Sequence, residues 1–323
     1  MMRNFQEYLT TRKALLDEAF TGHLAGLLAG LSLQDRAFLT AALAGGKKLR
    51  GCLACLVSDA LGGHLPATIP RAVAVELIQA ATLIHDDFVD QDRMRRNQAA
   101  VWTLEGARRA VLIGDVIFSS ALKMMSELGR QDGLVASQTI AEVAQGALHE
   151  PLNPLSLVQE ILSGRLKAEL YEKIIYLKTG VLFGAACRLG AIAAGADPGL
   201  IETSYRYGLR IGEAYQLADD LQEIQHHRET LSIGPERMAA LAPAFLRFHG
   251  EMAPQIIAVL QGEVTELDEA AQACFGAVAK RMEQEIAGRL LSACAEMEEN
   301  FPANGFRQLV CEAPRDIIRM MNG

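Results

Sequence analysis

The sequence predicts an all-α fold, and three features carry that prediction. Half of the 323 residues are hydrophobic, with Ala and Leu foremost, while aromatic residues make up only 6%. Strand-type runs of Val, Ile and Thr are scarce, and apolar residues recur three and four apart along most of the chain, the period of a helix with one buried face. Breaks in that period fall at Gly and Pro. A chain of this length can bury a large core, including a deep cavity.

Taken in order, residues 5–28 carry the first helical pattern. Gly45 and Gly46 interrupt it before the basic turn Lys47-Lys48-Leu49-Arg50. A helix then runs to about Leu61 and ends at Gly62-Gly63. Residues 71–90 form a long apolar helix that closes on acidic residues; 97–106 read as a loop leading into a helix over 107–128, and 136–149 as the next. Pro151 and Pro154 break the chain, and Ser156 is placed to cap the next helix. Residues 166–194 are mostly apolar, 195–198 form a turn, and 202–223 form a further helix. The remainder is read as helical, with breaks near Gly234-Pro235, Pro243, Pro302 and Pro314. No Ser-rich or Pro-rich linker interrupts the chain, so a single domain over 1–323 is expected.

The formal net charge is −8 and no basic stripe is present, which argues against a nucleic-acid partner. An acidic chain that binds an anionic substrate needs local cations or metal ions. Six cysteines are scattered. Cys52 and Cys55 form a lone C-x-x-C with no second ligand pair and no strand-to-helix context, so buried thiols in a reducing cytoplasm are the expectation. The first ten residues lack the apolar stretch of a signal peptide. With no uninterrupted apolar run of about 18 residues, no membrane span is expected.

Four constellations carry chemistry. Asp86, Asp87 and Asp90 close the long apolar helix. Asp86 and Asp90, four apart, share a face, and three carboxylates at a helix C-terminus repel one another and oppose the helix dipole. A divalent cation would remove the conflict, since magnesium takes carboxylate oxygens and keeps positions open for phosphate; a solvated acidic helix end is the other reading of these residues alone. Arg93, Arg95 and Arg96 come next, and guanidiniums grip phosphate oxygens in a two-pronged fork, or else form surface ion pairs. Asp219, Asp220 and Glu223 repeat the acidic spacing within Gly212–Glu223; this is a weak signal alone and a stronger one beside the first triplet. Gly45-Gly46-Lys47-Lys48-Leu49-Arg50 offers a close backbone approach and three cations for a second diphosphate, or is simply a basic helix start; its spacing is not that of a Walker loop. Lys178-Thr179 places one cation in an apolar helix, which calls for an anionic partner.

In chain order the segments resemble the trans-isoprenyl diphosphate synthases, or polyprenyl synthetases, over roughly residues 40–225. Gly45 to Arg50 resembles G-G-K-x-x-R. Asp86 to Asp90 with Arg95-Arg96 resembles the first aspartate-rich motif, and Gly114-Asp115 a G-D pair in the next helix. Lys178-Thr179 resembles the K-T pair, and Gln216 with Asp219-Asp220 the second aspartate-rich motif. Five motifs in sequence order are highly specific.

The resemblance implies a bundle of antiparallel helices around a deep cavity, the isoprenoid-synthase type, as a homodimer. It implies Mg2+, three ions with substrate bound, held by the two acidic motifs: Asp86, Asp87, Asp90, Asp219, Asp220 and Glu223. Lys178, Thr179 and Gln216 become the catalytic candidates, and Lys47, Arg50, Gln79, Arg95 and Arg96 the substrate-binding ones. The substrates implied are isopentenyl diphosphate and an allylic prenyl diphosphate. The small Ala81 and Thr82, one turn before Asp86, with Leu77 and Ile78 below them, become a chain-length pocket that suits products of about C20 or longer.

The chain departs from the pattern at Glu223, at the segment after it, where Arg228 is the only strong cation near a position usually held by Lys, at Gln79 where many members have His, at Asn97 after the arginine pair, and in its C-terminal tail. A class I terpene cyclase and a non-catalytic subunit of a heteromeric synthase are the alternatives. The intact Lys47, Arg50 and Arg96 set speaks against the first. The retained first triplet speaks against the second.

Overall fold

The computed structural model describes residues 4–27, 36, 40, 43, 45–151, 153–166 and 169–321. These residues are overwhelmingly helical. The helices are α1 (Phe5–Leu27), α2 (Leu49–Ala60), α3 (Leu65–Val89), α4 (Val101–Glu105), α5 (Ala107–Leu128), α6 (Arg130–His149), α7 (Pro154–Leu162), α8 (Glu169–Ile175), α9 (Val181–Ala193), α10 (Pro198–Thr230), α11 (Pro235–Phe248), α12 (Ala253–Leu260), α13 (Glu269–Asn300) and α14 (Arg307–Arg319). The all-α class predicted from composition and period is the class observed. Leu28, the last residue expected in the first helix, and Asn322 and Gly323 of the tail lie outside the described residues.

Several boundaries differ from the sequence reading, each for a local reason. Helix α3 begins six residues earlier than expected, because Pro66 sits in its first turn, where a missing N–H costs little; Pro70 lies inside the helix and does not end it. Asn153, not Ser156, caps α7. The Asn153 Oδ1 accepts from the amides of Leu155 (2.9 Å) and Ser156 (3.3 Å), with Pro154 at the first helical position. Pro243 and Pro314 lie inside α11 and α14 and do not end them. The expected loop at 97–106 contains α4 and one strand of a small antiparallel hairpin, β1 (Met94–Arg95) with β2 (Gln98–Ala99). The two turn residues of this hairpin, Arg96 and Asn97, both have left-handed φ, 52° and 60°. That is the two-residue turn whose twist matches the strands, and Asn is one of the few residues that tolerates it.

The chain divides into two compact units, Met1–Ala141 with Leu182–Leu209 and Cys294–Asp316, and Glu142–Val181 with Arg210–Ala293 and Ile317–Gly323. In the first, α2 is buried almost throughout, with Cys52, Leu53, Cys55 and Leu56 wholly covered. Gly190 lets α9 cross it at backbone contact, because a Cβ there would strike the Ala54 carbonyl. The Tyr207 hydroxyl, fully buried, donates to the Val310 carbonyl at 2.6 Å and ties α10 to α14. The six cysteines are thiols, and four of them are buried.

In the second unit the core gathers around Phe245 and Phe275, whose rings lie 4.5 Å apart, with Tyr171 edge-on to Phe248 at 5.9 Å. Beside it, Arg289 binds Glu172 (2.6 Å), Glu285 (2.9 Å) and Glu213, joining α8, α10 and α13 through one guanidinium. Burial pushes the Glu213 carboxyl up, against the opposing pull of Arg289.

Two helical stretches, 65–89 and 169–193, are long and apolar enough to cross a membrane by length and composition, and their windows are 67% and 83% buried within the protein. That burial is the mark of core helices, and neither makes a clear span.

Candidate active site

In the first unit, three predicted segments come together. Helix α3 ends on Asp86, Asp87 and Asp90, and helical geometry separates their roles. Asp86 is half-buried, Asp90 is exposed, and Asp87 turns inward, 3% exposed. The Arg95 Nε donates to Asp87 Oδ1, so the hairpin after α3 folds back onto that helix's acidic end. Burial raises the Asp87 carboxyl above the usual range, and the guanidinium opposes that rise.

The next residue, Arg96, lies over the glycine loop. A Cβ at Gly46, which itself has φ +75°, would sit 2.6 Å from Arg96 Nη2. Glycine suits that backbone angle, and the guanidinium lies where a side chain at this position would be. Arg96 is therefore held at the glycine loop. Within the loop the three cations face differently. Lys47 is exposed, and Arg50 is half-buried with its guanidinium 4.3 Å above the Phe183 ring. Lys48, in a left-handed conformation with φ 49°, is buried with its ammonium 3.6 Å over the Phe20 ring. Burial lowers the Lys48 pKa while Glu76 opposes the fall. The same Glu76 accepts from the Gly51 amide at 2.8 Å and so ties the start of α2 to α3.

Gly114 has a packing role. A side chain there would collide with the His85 ring, whose Nε2 lies 3.1 Å from the Val111 carbonyl and whose plane meets Phe118 edge-on at 5.6 Å. The G-D pair thus lets α5 close against the residue preceding Asp86. Ala81, Leu77 and Ile78 are fully buried on α3, and Thr82 nearly so, its hydroxyl donating to the carbonyl of half-buried Gln79 at 2.9 Å.

In the second unit, Lys178 and Thr179 lie in a π turn, Tyr176–Gly180, set into the otherwise continuous helix from α8 to α9. Such turns insert a residue into the helical register and are enriched at functional sites. The Lys178 ammonium pairs with Glu150, at the end of α6. Gly146 permits this approach, since a Cβ there would lie 2.8 Å from the Lys178 backbone nitrogen. The second acidic motif lies on α10. Asp219 is exposed. Both oxygens of Asp220 accept hydrogen bonds: Oδ2 from the Tyr171 hydroxyl at 2.6 Å and Oδ1 from Gln216 Nε2 at 3.0 Å. Gln216 Oε1 accepts in turn from the Thr179 hydroxyl at 2.6 Å. Burial pushes the Asp220 carboxyl up to about 7 against these two donors. Glu223 lies 3.8 Å from both His227 and Arg237.

Glu150 and Tyr171 escaped the sequence reading. Lys178 in an apolar helix signalled that an anion must stand near it, but nothing local named Glu150, 28 residues earlier. Tyr171 reads as an ordinary apolar-face aromatic.

Among the described residues, no three Cys, His, Asp or Glu side chains converge into a metal cage. Magnesium does not require one, because it takes one or two carboxylates and completes its shell with water and substrate phosphates. The oxygen-only donors Asp86 and Asp90, one turn apart at a helix end, fit that requirement.

The polyprenyl synthetase family model matches residues 34–234, and the chain belongs to that family. It is 34% identical to geranylgeranyl diphosphate synthase of Methanosarcina mazei over 194 residues, which are 58% of each protein. It is 35% identical to octaprenyl diphosphate synthase of Escherichia coli over 188 residues, 58% of this chain and 56% of that one. The chain thus spans a little over half the length of these curated relatives. In structure it resembles the polyprenyl synthase of Caulobacter crescentus, solved with calcium and isoprenyl diphosphate. There the TM-score is 0.74 and the identity 26%, over 94% of this chain and 93% of that one.

Proposed function

We propose that this protein condenses isopentenyl diphosphate head to tail with an allylic diphosphate, giving an all-trans polyprenyl diphosphate of about C20 or longer. The observation that carries the reading is the seating of Arg96 against Gly46, with Arg95 on Asp87 one residue away. It joins a basic loop of the kind two diphosphates require to an acidic helix end of the kind their metals require. The family match across 34–234 supports the same reading and spans parts of both units, in keeping with one catalytic domain over 1–323. The names of the relatives, geranylgeranyl and octaprenyl diphosphate synthase, support the product range.

In this reading Arg95 in the first unit and Lys178 in the second are the cations for the allylic diphosphate, each within its own unit, and Lys47, Arg50, Arg96 and Gln79 hold isopentenyl diphosphate. Asp86 and Asp90 in the first unit, and Asp219 with Glu223 in the second, are the carboxylates that would hold magnesium, three ions in all. Magnesium, when bound, neutralises the charge that grows on the departing diphosphate. The allylic C1–O bond breaks and its electron pair leaves with the diphosphate. The double bond of isopentenyl diphosphate attacks C1, and loss of a proton restores the alkene. Lys178 releases Glu150 as it takes up phosphate, exchanging one anion for another at little cost in charge. Ala81 and Thr82, with Leu77 and Ile78 beneath, set the length of the product. We place the protein in the cytoplasm, which the free thiols support. We further propose a homodimer, supported by the exposed Leu112 and Val116 on α5 and Leu134 on α6.

The test is a product assay with magnesium, isopentenyl diphosphate and each of dimethylallyl, geranyl, farnesyl and geranylgeranyl diphosphate, with mass analysis of the alcohols. Elongated prenyl alcohols that vanish with EDTA and with Asp86→Ala are the expected result. Cyclised hydrocarbons formed without consumption of isopentenyl diphosphate would overturn it in favour of cyclisation.

A further inference from the structure

Thr179, Gln216, Asp220 and Tyr171 form an unbranched chain of hydrogen bonds in the second unit. Its links are Thr179 to Gln216 at 2.6 Å, Gln216 to Asp220 at 3.0 Å and Tyr171 to Asp220 at 2.6 Å. Tyr171 is 3% exposed and Thr179 5%. Gln216 and Asp220 stand four apart on α10 and share a face. Tyr171 and Thr179 stand eight apart on the facing helical stretch, and in a regular α-helix eight residues overshoot two turns by about 80°. The π turn at Tyr176–Gly180 takes up one residue and returns Thr179 close to the face that carries Tyr171. The break in the helix thus lets both hydroxyls reach the same pair of side chains on α10.

An amide has nearly the same shape whichever end its oxygen occupies, so Gln216 has no steric reason to choose. The hydrogen bonds choose for it, because Asp220 Oδ1 accepts from Gln216 Nε2 while Oδ2 accepts from the Tyr171 hydroxyl. Asp220 therefore draws the NH2 end of Gln216 and turns the amide carbonyl toward Thr179, which must donate. The Tyr171 hydroxyl occupies the second carboxylate oxygen and fixes the carboxylate plane.

We infer that Tyr171 and Asp220 are positioning residues that set the direction of the Gln216 amide, so that the Gln216 carbonyl and the lone pairs of Thr179 Oγ1 form an electron-rich edge for the allylic cation. The inference rests on the prenyl-transfer reading. It gives Asp220 to the orientation of Gln216 and leaves metal binding in the second motif to Asp219 and Glu223. Asp220→Asn preserves shape but replaces an acceptor by an NH2. The Asn carbonyl stays with Tyr171, the Asn NH2 faces Gln216, and the Gln216 amide must invert. Tyr171→Phe removes only the outer donor.

The experiment combines three measurements on the full chain: steady-state kinetics, calorimetric titration with magnesium and inorganic pyrophosphate, and 1H–15N spectra. The Gln216 side-chain resonances are identified by their loss in Gln216→Glu. In Asp220→Asn, kcat should fall by about 10- to 100-fold, the range one charge-assisted hydrogen bond spans. KM for both diphosphates and the affinity for magnesium pyrophosphate should stay within about twofold. Tyr171→Phe should move kcat the same way by a smaller factor, and both variants should shift the Gln216 amide resonances. Gln216 resonances unmoved in Asp220→Asn would overturn the inference, as would a loss of magnesium-pyrophosphate affinity of about tenfold or more in that variant, which would return Asp220 to the metal. If Tyr171→Phe does not fold, Asp220→Asn alone decides. If the wild-type protein elongates no primer, the transfer reading fails, while the spectra and the titration still judge the hydrogen-bond chain.

Discussion

Replacing Gly146 by Ala tests how tightly α6 must approach the π turn. In the interior of a helix with room around it, this change stabilises by about 0.5–1 kcal/mol, because Ala loses less backbone freedom on folding. Here the new Cβ would lie 2.8 Å from the Lys178 backbone nitrogen and 2.9 Å from the Leu177 carbonyl carbon, where ordinary contact begins at 3.4 Å. Both neighbours are main-chain atoms in a helix and cannot rotate away, so α6 must shift outward by several tenths of an ångström. Overpacking of this kind costs about 1–3 kcal/mol. Set against the propensity gain, the net effect is a destabilisation of about 0–2.5 kcal/mol. The shift also stretches the Glu150–Lys178 contact at the end of the same helix. Gly288, on α13 with nothing within 4 Å of its would-be Cβ, is the internal control. Urea unfolding of both variants should give opposite signs, Gly288→Ala more stable than wild type and Gly146→Ala less. Gly146→Ala should also lower the rate of product formation. Equal stabilisation of the two variants would show that the backbone contact at Gly146 is not tight and would refute the packing argument.

Three further outcomes are expected from the geometry. Ala81→Phe, on the buried face of α3, should shorten the longest product without abolishing turnover; an unchanged product distribution, read by mass, would remove Ala81 from the chain-length pocket. Asn97→Val puts a β-branched residue at φ 60° and should cost about 1–2 kcal/mol in urea melts while raising KM for isopentenyl diphosphate through Arg96; Asn97→Gly should do neither, and equal behaviour of the two would refute the left-handed turn. Burial pushes the half-exposed Cys311 thiol up to about 11, so its thiolate is about one part in a thousand at pH 8 and grows about tenfold per pH unit. Alkylation of native protein mapped by mass should therefore find Cys311 slow at pH 8 and still accelerating between pH 9 and 10, and a plateau below pH 9 would contradict the raised value.

Helical period, the scarcity of strand-type runs and the Gly and Pro breaks were legible because they depend on neighbours within a turn or two. So were the acidic triplets, the arginine pair and the basic loop, whose members sit within a few residues of one another. Local rules erred where two of them competed. Asn153 with Pro154 outbid Ser156 as a cap, and Pro70, Pro243 and Pro314 were absorbed by helices that packing holds together.

By itself, then, the sequence determined the helical class and the residue types gathered for diphosphate chemistry. Only the tertiary structure decided which way each of them faces. Asp86, Asp87 and Asp90 are equivalent in sequence, yet Asp87 alone turns inward to Arg95. Lys47, Lys48 and Arg50 read as three like cations until Phe20 and Glu76 draw Lys48 into the interior. Asp219 and Asp220 are adjacent, yet a tyrosine 49 residues away from Asp220 takes one of its oxygens. The reason is physical: a charge or a hydroxyl removed from water must find its partner in space, and those partners come from helices far apart along the chain.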